Sequence, residues 1–220
     1  VISSIVKGST NADGQVQVSA SHSNDANVHQ IIISGGTDTF TGELIVSKLI
    51  APVGFQVATP LTTVLALSPD LTADQVTQAL GLKDIDLSSF DPIAAMKGGS
   101  DLNAAAGQAV FTAQQAIFGL LQAASQIGST SGDGLAALDR ASDALAIALK
   151  TTSGGGSLAT QLQEITLKTI TSVINSAYAG DDAGLIEAKI AAITAGIDAL
   201  NNSIIENYSH LASALQAAVG

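Results

Sequence analysis

The sequence predicts a mainly α protein of the α+β class, with a small antiparallel β region over residues 1–60 and an antiparallel bundle of about four long helices over 61–220. Three observations carry that prediction. Before Pro60, short Val, Ile and Thr runs alternate with turn residues. After it, Leu, Ile and Ala recur at steps of three and four, the repeat of a helix with one buried face. Helix-start residues and Gly-rich stops then cut that repeat into separate segments.

In the β region, Gln15-Val16-Gln17-Val18-Ser19-Ala20 alternates polar and apolar residues, the period of a half-buried strand, and the turn Asn11-Ala12-Asp13-Gly14 precedes it. Val28 to Ser34 reads as a second strand, ended by Gly35-Gly36-Thr37-Asp38. Glu43 to Ile50 reads as a third and Gly54 to Ala58 as a short fourth, with Pro52-Val53-Gly54 turning the chain between them.

The helical region opens with Thr59-Pro60-Leu61-Thr62-Thr63, a cap and helix start leading into a short apolar turn, Leu61 to Ala66. Thr72-Ala73-Asp74-Gln75 is a capping box for a helix that ends at Gly81. Asp91-Pro92 places an N-cap before a proline at the first helical position and opens a short helix to about Lys97. Four long helices follow. The first runs from Asp101 to near Gly128, with Leu102, Ala106, Ala109, Ala113, Ile117, Leu120, Ala124 and Ile127 along its inner face. The second spans Gly134 to Lys150, with Leu135, Leu138, Leu145 and Leu149 inward. Ser157 caps the third after the linker Ser153-Gly154-Gly155-Gly156, and its stripe is Leu158, Leu162, Ile165, Thr169, Val173 and Ala177. The fourth begins after Asp181-Asp182. Its stripe from Ile186 through Ile190, Ile193, Ile197, Leu200, Ile204, Tyr208 and Leu211 to Leu215 has a break expected near Asn201-Asn202. Such helices bury their stripes best against one another.

Composition narrows the function. Hydrophobic residues are 46% of the 220, yet aromatics are 3%, Trp is absent and Met occurs once, so Ala, Val, Ile and Leu must fill the core. Nineteen acids against eight bases give a net charge of −11, which repels phosphate backbones and argues against nucleic acid as a partner. The absence of Cys excludes disulfides and thiolate metal sites. No run of the roughly 18 apolar residues needed for a membrane span occurs. The N-terminal VISSIVKGSTNADG does not read as a signal peptide, and the chain reads as a processed product or an excised piece of something longer.

Reactive residues are dispersed. His22, His29 and His210 sit in no metal-binding motif, no serine lies in G-x-S-x-G, and Gly154, Gly155 and Gly156 lack the lysine of a phosphate loop. The expectation is a protein that is not an enzyme and needs no cofactor. Two candidate sites stand beside it. Asp84, Asp86 and Asp91 in LKDIDLSSFDP could, with backbone carbonyls, hold calcium, with Asp91 as a helix cap and the other two solvated as the competing reading. Phe90, Met96, Phe111, Phe118 and Tyr178 would line a slot for an apolar small molecule or pigment held between helices, with ordinary core filling as the competing reading.

The passage ISGGTDTFTGELIVSKLIAPVGFQVATPLTTVLA, followed by LTADQVTQALGL and DIDLSSFDPIAA, resembles a segment of very large bacterial RTX-type adhesin-like surface proteins. There a transthyretin-like β module runs into a helical region. The resemblance covers roughly residues 33–95 and brings no catalytic residues with it. It implies a secreted or cell-surface protein in adhesion or extracellular assembly, with protein partners or self-association through an exposed β edge.

Overall fold

The computed structural model describes residues 11, 31–33, 35, 37, 49–98, 101–128 and 134–219, and the structural statements below concern these. Strands β1 (Ile31–Ile33) and β2 (Leu49–Ala51) form an antiparallel pair. Eight helices follow: α1 (Pro60–Leu67), α2 (Ala73–Ala79), α3 (Pro92–Gly98), α4 (Asp101–Gly128), α5 (Gly134–Thr151), α6 (Leu158–Ala177), α7 (Ala183–Tyr208) and α8 (Leu211–Val219). The fold is a small two-stranded sheet followed by a helical bundle, with α4 to α7 as its long members. No helix among the described residues is long and apolar enough to cross a membrane.

The predicted caps form. Thr59 and Thr62 bond reciprocally at the start of α1, as do Thr72 and Gln75 at α2. Asp91 Oδ1 accepts from the Ile93 and Ala94 amides at 2.9 and 3.0 Å, Ser157 Oγ accepts from Thr160 N, and Asp182 Oδ1 accepts from Gly184 and Leu185. Each supplies an acceptor to amides that a helix leaves without one. The apolar stretch after Thr59 is a full helix rather than a short turn.

Among the described residues the sheet consists of Ile31–Ile33 and Leu49–Ala51, parts of the second and third expected strands; the remainder of those two strands, like Gln15 to Ala20, lies outside the described residues. Gly54 to Ala58 is not a strand: Gly54 takes a positive φ of 87°, Phe55 N bonds back to Pro52 O, and Gln56 N is drawn to Ser88 O at 2.7 Å. Those bonds make a turn and dock the segment on a distant loop, leaving no ladder to join.

Helix α4 is the centre of the bundle, packing against α1, α3, α5, α6, α7 and α8. Its buried positions include Ala104, Val110, Phe111, Ala113, Ala116, Ile117, Leu120, Leu121 and Ala124. That set wraps round more of the helix than one stripe, because neighbours lie on several sides. Leu102, predicted inward, is 84% exposed, since it sits at the end of α4 beyond the surrounding layer. The main core joins α1, α2, α4, α5, α6 and α7. A smaller one joins α3, α4 and α8 through Met96, Ala104, Phe111 and Ala212, where Phe111 and Tyr208 meet edge to face at 5.1 Å.

The expected break at Asn201-Asn202 does not occur. Helix α7 continues to Tyr208, and the chain breaks at Ser209-His210 instead. Asn201 is 3% exposed and donates from Nδ2 to Thr166 Oγ1 at 3.2 Å, so a tertiary bond overrides its poor helix propensity.

Small residues set how close the helices come. A Cβ at Gly107 would stand 2.6 Å from the Pro92 carbonyl oxygen and 3.0 Å from Met96 Cγ, so α3 and α4 touch through the missing side chain. Gly107→Ala is therefore expected to destabilise the protein by about 1–3 kcal/mol. Gly196→Ala, at an exposed position of α7 with nothing within 4 Å, is expected to stabilise it by about 0.5–1 kcal/mol. Urea unfolding of the two variants measures both.

Candidate functional site

The three acids of the predicted calcium loop take separate local tasks. Asp86 accepts from Ser88 N at 2.9 Å, Ser88 Oγ at 2.6 Å and Ser89 Oγ at 2.9 Å. The Ser88 side-chain bond, then its backbone bond, holds the Asp86 carboxyl below the usual carboxylate range. Asp91 caps α3. Asp84 adopts a φ of +60°, a left-handed conformation that Asp tolerates better than most residues. It borders a shallow cleft of about 290 Å³ with Asp74, Lys83, Gly81 and Gly154. Among the described residues no three His, Cys, Asp or Glu side chains come together in a metal-binding group.

The other sequence candidates are likewise apart. His22 and His29 lie outside the described residues, and His210 is exposed at the break between α7 and α8. Of the apolar slot, Met96 and Phe111 fill the smaller core and Phe90 packs on the main one. Phe118 is half-buried on α4, while Tyr178 lies under the Lys189 ammonium at 3.7 Å. None of the five borders the Asp84 cleft or the larger groove described next.

That groove, of about 450 Å³, runs between α4, α7, α8 and the start of α6. Ala104, Ala105, Ala109 and Ala212 contribute small apolar surface, and Thr112, Ser209, Ser213 and Gln216 contribute uncharged polar groups. Gln108 is spoken for within it: Nε2 donates to Ser209 O at 3.0 Å, and Oε1 accepts from Ala212 N at 3.2 Å. One amide thus serves the carbonyl leaving α7 and an amide entering α8, and so braces the helix break. Sequence reasoning missed Gln108, because its partners stand about a hundred positions away.

A second polar constellation lies along the seam of α6 and α7. Thr169 Oγ1, Thr194 Oγ1, Asp198 Oδ1 and Asn201 Oδ1 are all shielded from solvent and have no hydrogen-bond partner among the described residues. Thr194, Asp198 and Asn201 share one face of α7 at steps of four and three. Thr169 is fully buried on α6. Burial pushes the Asp198 carboxyl above its ordinary value. Thr169 and Asn201 were visible as polar interruptions near or in two aliphatic stripes. Asp198 gave no such signal, since a lone acid on a helix is ordinarily solvated.

Compared with known proteins, the chain matches no family model, no curated protein and no solved structure.

Gln108→Ala is expected to cost about 0.5–1.5 kcal/mol, the net contribution of a typical hydrogen bond, because the bond to Ser209 O is exposed and that from Ala212 N only half-buried. Hydrogen exchange should rise across residues 211–217 while α5 and α6 keep their protection.

Proposed function

We propose that this chain is a non-enzymatic structural or interaction module of a secreted or surface-displayed bacterial protein, serving adhesion or extracellular assembly through its β edge. The observation that carries the reading is how the sheet is mounted. Ile50 N donates to Thr63 Oγ1 at 2.8 Å, and Thr62 Oγ1 donates to Ile50 O at 3.0 Å. These bonds use the outward groups of β2, so one side of the sheet is closed by α1. Ile50 faces Ile32 across the pair. Because the backbone groups of Ile50 point away from β1, this is a non-hydrogen-bonded pair, and those of Ile32 point away from β2. Among the described residues no other strand pairs with the outer edge of β1, which belongs to a sheet anchored to the helices. The Ile32 side chain is 55% exposed, and Val53 beside the sheet is exposed as well.

An edge of this kind binds by adding a strand: backbone bonds supply affinity and exposed apolar side chains supply specificity. The resemblance of residues 33–95 to adhesin-like chains supports the same reading, as does an acidic surface without a basic stripe. A second reading, carriage of an apolar small molecule, has the groove of about 450 Å³ in its favour, a volume within the usual ligand range.

Sedimentation of the purified chain at rising concentration tests the leading reading. Self-association or capture of an extended partner strand is expected. Ile32→Pro should abolish it with helical circular dichroism unchanged, because proline removes the outward N–H and is tolerated on an edge. Binding that survives Ile32→Pro sinks the edge mechanism. A chromophore retained above 300 nm in native material would favour the carrier.

A further inference from the structure

The two edges of the sheet are treated differently. Sheet edges are ordinarily guarded by charges, by proline or by a covering element, because bare backbone groups recruit another strand. The outer edge of β2 is covered: the Ile50 N–H donates to Thr63 Oγ1 and the Ile50 carbonyl accepts from Thr62 Oγ1, both on α1. Strand β1 has no such guard in its sequence. Its residues are Ile31, Ile32 and Ile33, and the stretch from Ala26 to Thr37 holds no Lys, Arg, Asp, Glu or Pro. Among the described residues, β1 therefore carries the one edge that the sheet can offer.

The register fixes what that edge presents. Ile31 faces Ala51, Ile32 faces Ile50 and Ile33 faces Leu49. Antiparallel pairs alternate between residues that exchange bonds and residues whose backbone groups point away from each other. Ile32 and Ile50 are of the second kind, so the outward N–H and C=O of β1 belong to Ile32. One residue thus carries an outward donor, an outward acceptor and a side chain that is 55% exposed. A second Ile32 related by a two-fold axis answers all three. Each N–H meets the other carbonyl, and the two side chains lie opposite each other on one face.

We propose, resting on the edge-binding reading above, that the partner of β1 is a second copy of this chain, paired antiparallel about a two-fold axis at Ile32. Strands β2 and β1 of one copy then continue into β1 and β2 of the other as a single sheet. Charge suits this partner at this place. Each chain carries a net charge of −11, so two copies repel overall, and the neutral stretch from Ala26 to Thr37 lets them meet without adding like charges at the contact. The exposed Ile32 side chain, in turn, leaves water best against another apolar side chain.

The covered edge of β2 sets the stoichiometry. A surface that pairs with itself about a two-fold axis closes after two copies. With α1 on the far edge of β2, neither copy has a further strand edge among the described residues with which to extend the sheet. The assembly is therefore a dimer and not a filament. Salt screens the remaining repulsion between the acidic copies, so the dimer tightens as ionic strength rises.

Sedimentation equilibrium at rising protein concentration, in low and in high salt, reads the dimer. The mass is expected to level off at twice that of the chain, and to do so at lower concentration in high salt. Ile32→Lys and Ile32→Glu, each alone, should weaken dimerisation about tenfold with helical circular dichroism unchanged, because like charges then face each other across the axis. An equimolar mixture of the two variants in low salt should recover the dimer, since a contact of position 32 with itself sets the opposite charges together. Mass that grows past the dimer, or a mixture that stays as monomeric as its parts, overturns the proposal. So does a chain that remains monomeric throughout. A synthetic VHQIIIS peptide, the sequence of residues 28–34, then separates the two claims. If it binds the monomer and Ile32→Pro prevents this, the edge reading stands without the dimer; if it does not bind, both fall.

Discussion

Close approach of helices through Ala and Gly is the constraint on which this structure rests. A core with almost no aromatic volume reaches native packing density only if backbones come near one another. Helix α4 makes that possible by presenting Ala104, Gly107, Ala113, Ala116 and Ala124 to neighbours on several sides. The leucines and isoleucines of α5 and α6 then fill the spaces between backbones. Three of the sparse large residues, Met96, Phe111 and Tyr208, meet at one end, where α3 and α8 close the bundle.

Polar side chains do the joining that large apolar residues do elsewhere. Thr62 and Thr63 tie the sheet to α1, Gln108 braces the break before α8, and Asn201 pins α7 to α6. Lys168 gathers the last turn of α5 onto α6, and Lys189 closes the turn between α6 and α7 against Tyr178 and Asp181. Threonine and the amides suit this task because they satisfy backbone groups without the desolvation cost of a charge. The exception is Asp198, whose carboxylate was placed in the seam without a counter-ion. Asp198 thereby distinguishes α7 from the other long helices.

Burial is uneven across the molecule. The sheet is tied to α1, which belongs to the main core, whereas the side chains of α7 that are buried outright are Ile197 and Asn201.

Much of this was legible in the residues alone. Thr59, Thr72, Asp91, Ser157 and Asp182 announced helix starts because capping is local: the donor and the acceptor lie within one turn. The four long helices were legible because a repeat of three and four survives any arrangement of neighbours. Tertiary structure decided everything that depends on who the neighbour is. It exposed Leu102 at the margin of the bundle, carried α7 through Asn201 and turned Gly54–Ala58 towards Ser88. Local pattern states which face of a helix is apolar, but only packing states what that face meets, and a polar atom acquires its energy from that partner or from its absence.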